Sequence, residues 1–136
     1  MTKNFKLDDF IYSHFYTQAN VQDRVIKSYK QDKTVQNNLE ILAKQLQIIR
    51  DEINKPIHIN IAYRPYWWEK MRGRNGKSQH CLGKAADIVV KGMDTKILHK
   101  TIENLIKDNK IINGGLGLYQ TFIHYDIRSY PARWSK

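Results

Sequence analysis

A chain of 136 residues with 41% hydrophobic and 26% charged side chains is long enough for one hydrophobic core and too apolar for a disordered protein. The 23 Lys and Arg outnumber the 13 Asp and Glu and leave a net charge of +10, so acidic polymers such as nucleic acid and anionic cell wall are the partners to weigh. The single cysteine, Cys81, excludes an internal disulfide, and no apolar run approaches the length of a membrane span.

The N-terminal segment MTKNFKLDDF lacks the apolar run of a secretory signal. We therefore expect synthesis in the cytoplasm without a signal peptide. No internal repeat, low-complexity tract or Pro/Gly-rich linker divides the chain, so we expect a single domain over residues 1–136.

The segment from Thr34 to Ile53 carries apolar residues at spacings of three and four, which trace one stripe along a helix. The stripe consists of Val35, Leu39, Leu42, Leu46, Ile49 and Ile53. The following segment PIHINIAYR, residues 56–64, alternates isoleucines with polar residues and predicts a half-buried strand with Arg64 at its far end. Residues 65–77, PYWWEKMRGRNGK, have no clear periodicity and predict a loop with a short helical turn.

Four further elements follow along the chain. KAADIVV, residues 84–90, predicts a short strand. Residues 93–109 predict a helix with Asp94 or Thr95 as its N-cap. Its buried side is expected to consist of Ile97, Leu98, Ile102, Leu105 and Ile106. GLGLY and TFIHYDIR predict two strands joined by a tight turn near Gln120. Because crossover helices are too few for a doubly wound parallel sheet, this order predicts an α+β fold with a mainly antiparallel sheet flanked by helices.

A histidine and an aspartate stand seven residues apart in SQHCLGKAADIVV, residues 78–90. This odd interval would place His80 and Asp87 on opposite faces of an uninterrupted strand. Gly83 lies between them and can adopt backbone conformations that other residues avoid. We therefore expect a turn at Gly83 that lets a loop histidine fold back toward a strand aspartate.

TFIHYDIR adds His124 and Asp126, which are two residues apart and so share one face of a strand. Two histidines and one aspartate would bind zinc through three protein ligands and leave a fourth position for water, as in catalytic zinc sites. Each of these residues alone is also typical of an ordinary core, surface or capping position. Spacing alone therefore leaves both interpretations open.

Residues 78–87, SQHCLGKAAD, resemble the S-x-H-x-x-G-x-A-x-D signature of the D-alanyl-D-alanine carboxypeptidase family of zinc peptidases, which includes phage endolysins. IAYRP at 61–65, GGLGLY at 114–119 and FIHYDIRSYPARW at 122–134 are similar to further motifs of its short murein-peptidase members. The resemblance covers nearly the whole chain. It implies a hedgehog/D-Ala-D-Ala peptidase-like fold and hydrolysis of a peptide bond in peptidoglycan, as a D,D-carboxypeptidase, a D,D-endopeptidase or an L-alanyl-D-glutamate endopeptidase.

The resemblance also implies roles for individual residues. It implies a zinc ion held by His80, Asp87 and His124. It implies that Arg64 faces the substrate and stabilises the oxyanion, which agrees with the charge-assisted donors of a guanidinium; a merely salt-bridging arginine is the alternative. Ser78 is expected to bind substrate or to fix its loop as a turn residue.

The chain differs from better-known members of this family at the position of the general base. Some of them carry Glu or Asp three residues before the last histidine ligand, but this chain has Thr121 there. Asp126 is then the candidate base. Its alternatives are to orient a ligand histidine, or to replace His124 as the third ligand.

The expected protein is a monomeric zinc metallopeptidase that acts at the bacterial cell wall, in the manner of a released phage endolysin, with anionic cell-wall polymer as a further partner. The alternative is a catalytically silent module of the same fold that binds cell wall or a protein. This alternative stays open because Thr121 replaces the acidic residue of better-known members. Nucleic acid would suit the basic and aromatic residues of 65–77, but it does not explain Asp87 and Asp126 beside two histidines, and we do not expect it.

Overall fold

The computed structural model describes all 136 residues, from Met1 to Lys136. It contains six α-helices: α1 (Asp8–Ile11), α2 (His14–Gln18), α3 (Gln22–Lys30), α4 (Lys33–Ile53), α5 (Tyr66–Met71) and α6 (Thr95–Lys107). A short 3-10 helix covers Gln79–Leu82. The five strands are β1 (His58–Ile61), β2 (Ala85–Val89), β3 (Gly115–Leu118), β4 (Ile123–Asp126) and β5 (Ala132–Ser135). None of the helices is long and apolar enough to cross a membrane.

The strands form one sheet in the order β1-β2-β4-β3-β5, in which every neighbouring pair is antiparallel except β3 and β5. The predicted α+β class with a mainly antiparallel sheet is confirmed. In the central pair, Asp87 lies directly opposite His124 and Ala85 lies opposite Asp126. Directly opposed residues share a face of a sheet, so the candidate site residues of β2 and β4 point to the same side.

The other face of the sheet belongs to the hydrophobic core. Alternate residues of the central strands are fully buried there: Ala86, Ile88, Leu116, Ile123 and Tyr125. Helix α6 packs against β3 and β4, and α4 packs against α6 and the 3-10 helix. The alternation of apolar and polar residues along β4 therefore separates a packed face from a polar face.

The two long predicted helices are confirmed. Asp32 caps α4 by accepting a hydrogen bond from the amide of Val35, and its predicted stripe is buried from Val35 to Ile49. Asp94, rather than Thr95, is the N-cap of α6, because its side chain accepts from the amide of Lys96 at 2.7 Å. The prediction that Ile97 is buried is wrong, since 58% of its surface is exposed. Ile97 precedes Leu98 by one residue, and one residue turns the helix about 100° away from the buried stripe.

Other elements differ from the prediction in extent. Strand β1 covers only the middle of the predicted segment 56–64. In the predicted loop 65–77, the helical turn is a six-residue helix, α5, whose residues Trp68 and Glu69 are buried. Trp67 anchors this helix to α3, because its Nε1 donates to Ser28 Oγ at 2.9 Å. Helices α1 to α3 and strand β5 had no counterpart in the predicted elements.

Candidate metal centre

His80 reaches the sheet from the 3-10 helix that precedes β2. Ser78 caps this helix, with its Oγ accepting from the amide of His80 at 3.1 Å, and Gly83 ends it at a φ of +72°. A Cβ at position 83 would lie 2.9 Å from the carbonyl oxygen of Val35. Both the left-handed backbone and the close approach require glycine. The expected turn at Gly83 is therefore present.

The ring of His80 is held in one orientation. Its side chain is 2% exposed, and Nδ1 lies 2.7 Å from the carbonyl oxygen of Ala62. Because a carbonyl oxygen only accepts hydrogen bonds, Nδ1 carries the hydrogen and the lone pair belongs to Nε2. That Nε2 lies 3.3 Å from Oδ1 of Asp87.

His124 approaches the same carboxylate oxygen from β4. Its Nδ1 is 3.1 Å from Oδ1 of Asp87, and one nitrogen or oxygen of each of His80, Asp87 and His124 lies within 4.8 Å of the others. Tetrahedral zinc with bonds of about 2.0–2.1 Å separates its ligand atoms by roughly 3.3 Å. The distances to Asp87 Oδ1, 3.3 Å from His80 Nε2 and 3.1 Å from His124 Nδ1, match that separation. Two imidazoles and one carboxylate are also ligands that zinc accepts. The three residues fit a metal site.

Asp126 lies on the far side of the His124 ring. Its Oδ2 is 2.7 Å from His124 Nε2, and the carboxylate also accepts from Arg128 Nε at 2.8 Å, from Arg128 Nη2 at 2.7 Å and from the amide of Gly115 at 2.9 Å. Asp126 is fully buried, and a Cβ at Gly115 would overlap its carboxylate. All these contacts occupy the oxygens of Asp126, so it is tied to His124 and to Arg128. This geometry favours the orienting role over the role of base or ligand.

Burial and hydrogen bonding shift the pKa values of these residues in opposite directions. Burial lowers the pKa of His80. Burial alone would also lower the pKa of His124, but its hydrogen bonds with Asp126 and Asp87 outweigh burial and hold that pKa above its ordinary value. Burial alone would raise the pKa of Asp126, but hydrogen bonds from Arg128 and His124 hold it well below its ordinary range. Arg128 and His124 therefore favour the anionic form of Asp126.

Arg64 lies beside this centre, where the chain leaves β1. Its amide donates to the carbonyl of His80 at 3.1 Å, its Nη2 is 3.4 Å from Ser78 Oγ, and its Nε is 3.7 Å from Oε1 of Glu69. Glu69 is 1% exposed and accepts a 2.6 Å hydrogen bond from Arg74. The buried carboxylate of Glu69 thus holds both arginines in place, a contribution that the sequence analysis missed.

The centre opens into a cleft of about 580 Å³. The cleft is lined by His80, Asp87 and His124 together with Arg64, Arg74, Lys77, Ser78, Gln79, Tyr119, Phe122, Arg128, Tyr130, Trp134 and Lys136. Asp87 is the only carboxylate among these residues, whereas five are arginines or lysines. Glu69 and Asp126 pair with Arg74 and Arg128 from behind, so the cleft keeps a smaller surplus of positive charge.

Two wall residues of the cleft also escaped the sequence analysis. Trp134 of β5 lies with its ring centroid 5.0 Å from that of His124, and its Nε1 donates to the hydroxyl of Tyr119 at 3.0 Å. A Cβ at Gly117 would overlap the Trp134 ring. Arg128 shares the strand-face alternation of His124 and Asp126, and this period of two was the signal that would have identified it.

The family model described as Peptidase M15 matches residues 9–126. The chain therefore belongs to the Peptidase M15 family, whose members are metal-dependent peptidases, and its group of His80, Asp87 and His124 is a possible metal site. A comparison with curated proteins finds no match.

Proposed function

We propose that the protein is a zinc-dependent peptidase that hydrolyses a peptide bond in bacterial peptidoglycan. The observation that carries the proposal is the convergence of His80 Nε2, Asp87 Oδ1 and His124 Nδ1 within 4.8 Å at the base of an open cleft. Two imidazoles and one carboxylate would hold zinc through three protein ligands, the number found in catalytic rather than structural zinc sites. Loss of the proton from His124 Nδ1 is part of metal binding.

The side chains around the centre have separable roles in this proposal. When bound, zinc supplies Lewis acidity, which lowers the pKa of water and polarises a carbonyl group. Arg64 directs its guanidinium at the developing negative charge of the substrate carbonyl. Glu69 keeps that guanidinium in place from behind, and Ser78 fixes the loop that carries His80.

We propose that Asp126 orients the ring of His124. The carboxylate receives the hydrogen on Nε2, and it thereby keeps the lone pair of Nδ1 on the side of Asp87. Arg128 holds the carboxylate with two side-chain hydrogen bonds, so the orientation of His124 is set by a chain of three residues. This assignment replaces the general-base role that we expected from the sequence.

The proposed substrate is the peptide of bacterial cell wall. The net charge of +10 and the excess of cations in the cleft favour association with anionic cell-wall polymer. We propose that the protein acts at the cell wall as a monomer. The D,D-carboxypeptidase, D,D-endopeptidase and L-alanyl-D-glutamate endopeptidase reactions are the candidate activities.

A second candidate function is a catalytically silent module that binds cell wall or a protein. The observation that favours it is the absence from the cleft of a free carboxylate that could act as the general base. Asp87 is the only carboxylate that lines the cleft, Asp126 is fully occupied, and the exposed residue Thr121 stands where a base would be expected. A module of this kind would bind peptidoglycan without cutting it.

Digestion of purified peptidoglycan decides between the two candidates. We expect the zinc-loaded protein to produce new peptide termini in mass spectra, and a chelator to abolish them. Asp87→Ala is the matched control, because it removes a proposed ligand while the other residues that line the cleft stay the same. Peptidoglycan that co-sediments with the protein but yields no chelator-sensitive termini would support the binding module instead.

A further inference from the structure

A second cavity, of about 410 Å³, lies at the edge of the sheet that β1 forms. Asp8, Asp9 and Tyr12 line it from the segment of α1 and α2, and His58 and Asn60 line it from β1. We call this cavity the edge pocket. Its volume lies within the roughly 300–1,000 Å³ that is typical of pockets for small ligands. The edge pocket is therefore large enough for one compact group of a ligand.

The edge pocket borders the surroundings of the candidate metal centre at Asn60. Asn60 also lines a smaller pocket of about 210 Å³, which shares Asp87 with the cleft. Ile59 and Ile61 lie opposite consecutive residues of β2, so Asn60 between them is the extra residue of a β-bulge. Bulges of this kind redirect a side chain and are frequent next to active sites. A substrate that extends from the cleft across β1 would therefore reach the edge pocket past Asn60.

The edge pocket differs from the cleft in its charge. No arginine or lysine lines it, whereas Asp8 and Asp9 do, and neither carboxylate forms an ion pair within the chain. Asp9 accepts a hydrogen bond of 2.9 Å from the amide of Lys6. In a chain with a net charge of +10, this is a local surplus of negative charge that repels phosphate and carboxylate groups. The ligand of the edge pocket is therefore not an anion.

Ser13 adds a buried hydrogen-bond donor to the same wall. It is 8% exposed, and its Oγ accepts from the amide of Phe15 at 3.2 Å but donates to no group of the chain. Because an unpaired buried donor is costly, a ligand that accepts from Ser13 and donates to Asp8 is favoured. An ammonium group cannot accept, and a carboxylate cannot donate. A hydroxyl group does both.

The remaining walls favour a neutral ligand with an apolar face. Tyr12 is 48% exposed and presents its ring to the pocket, and an aromatic ring packs against apolar C–H surface. The imidazoles of His14 and His58 each supply a donor and an acceptor. These residues do not gather as metal ligands, because the group of His80, Asp87 and His124 is the only one with three ligand atoms within 4.8 Å. A sugar ring combines a C–H face with a rim of hydroxyl groups.

We infer that the edge pocket binds a saccharide residue of the glycan strand that carries the peptide substrate. The C–H face of the sugar packs on Tyr12, and its hydroxyl groups accept from Ser13 and donate to Asp8. This inference rests on the proposed peptidase function and adds the glycan to the part of the substrate that the protein recognises. Asn60 lies where the ligand passes from the peptide to the sugar.

The probe is the trimer of N-acetylglucosamine, an uncharged saccharide without a peptide. NMR titration of the full-length protein, with and without added zinc, measures its binding. We expect saturable shifts of the amide signals of Tyr12, Ser13 and His58, with the same dissociation constant in both preparations, because no proposed metal ligand lines the edge pocket. The deacetylated trimer, which is cationic, and the uncharged peptide acetyl-Ala-Ala-Ala-amide are titrated into the metal-free protein for comparison.

The variant Tyr12→Ala tests the aromatic wall. Tyr12 is exposed, so the change leaves the core intact, and the loss of an aromatic contact should weaken binding of the trimer about threefold to tenfold. Tyr66→Ala is the matched control; it removes a tyrosine that is 58% exposed at the start of α5, outside the edge pocket. Asp8→Asn is a second variant, which should weaken binding about threefold because a hydrogen bond to a charged acceptor becomes one to a neutral acceptor.

The outcomes separate this inference from the proposed function. Zinc-independent binding of the acetylated trimer that falls in Tyr12→Ala but not in Tyr66→Ala supports the edge pocket, even if no peptidoglycan is cut. Cleavage of peptidoglycan without any shift of the signals of Tyr12 or His58 by the trimer would overturn the saccharide site and leave the peptidase. Binding of the cationic trimer alone would show a site for cations, and stronger shifts by the peptide would show strand addition at β1. Either result would overturn the inference.

Discussion

His124 stands between two carboxylates, and each of its ring nitrogens has a different partner. Nδ1 faces Asp87 at 3.1 Å and Nε2 faces Asp126 at 2.7 Å. A buried anion such as Asp126 is tolerated only when its hydrogen bonds are satisfied, and Arg128 provides most of that compensation. Asp87 lacks such an arginine; its side chain is partly exposed, and its Oδ1 lies between two imidazoles. The surroundings of the two aspartates therefore differ in the way that the proposed roles require, a ligand at Asp87 and an orienting partner of His124 at Asp126.

The first prediction concerns Asp87. Asp87→Ala removes the only ligand oxygen from the centre, so we expect the protein to lose its zinc on gel filtration, while the wild type keeps about one zinc ion per chain through three protein ligands. Metal analysis by mass spectrometry measures this ratio. A wild-type preparation that binds no zinc, even after metal is added back, would contradict the site.

The second prediction concerns Asp126. Asp126→Asn replaces a charged acceptor by a neutral one, and loss of such an orienting partner weakens metal binding by about 10–100-fold. Competition with a coloured chelator measures the zinc affinity. The control Asp108→Asn makes the same change at an exposed position after α6. If zinc affinity stays at the wild-type value while turnover is lost, Asp126 acts as the base and the orienting assignment is wrong.

At the scale of elements, the 3-10 helix and its final glycine bring His80 to the sheet. Gly83 has a φ of +72° and lies against Val35 and Leu39 of α4. The loop therefore rests on α4, the longest helix of the molecule, and the position of His80 depends on that contact. Gly73 has a similar φ of +76° but no heavy atom within 4 Å of its Cβ position.

This pair of glycines gives the third prediction. In Gly73→Ala, the only cost is the strain of an alanine in the left-handed backbone conformation. We therefore expect the free energy of unfolding to fall by roughly 1 kcal/mol. Gly83→Ala adds a clash with the Val35 backbone, and we expect a loss of roughly 2–4 kcal/mol together with weaker zinc binding. Urea denaturation of the metal-free variants measures both values. Equal losses for the two variants would show that the contact with α4 has no role.

At the scale of the whole molecule, the central strands place the hydrophobic core on one face of the sheet and the candidate site residues on the other. One face of β2 and β4 is packed against the helices, and the other carries Asp87, His124 and Asp126. The 3-10 helix adds His80 to that polar face, so the candidate metal centre joins elements that are remote in the chain. A cation bound there would link them only in the folded state, because the unfolded chain does not hold these ligands together.

The fourth prediction follows from this linkage. Zinc at a concentration of 100 times its dissociation constant should stabilise the folded chain by about 2.7 kcal/mol. For a domain of this size, that corresponds to a rise of roughly 10 °C in Tm. Thermal unfolding followed by circular dichroism, with and without zinc, measures the shift. Asp87→Ala should show no zinc-dependent shift, and an equal shift in that variant would place the binding elsewhere.

Periodicity alone was sufficient for much of the fold. Helices α4 and α6, the alternation along β4 and the turn at Gly83 were predictable because they depend on local spacing and on backbone conformation. Helices α1 to α3 and strand β5 were not, because α1 and α2 are short, and a short element depends on the surface against which it packs.

The sequence by itself determined the types of the candidate ligands, the shared strand face of His124 and Asp126, and the positive charge. Only the tertiary structure decided which nitrogen of His124 faces Asp87, that Arg128 and Gly115 occupy Asp126, and that a buried Glu69 holds Arg64 and Arg74. It also formed a small pocket beside the cleft from Phe15, Arg72 and Phe122, which lie on distant segments. The physical reason is that hydrogen bonds and ion pairs depend on distance in space, which neither spacing nor composition contains.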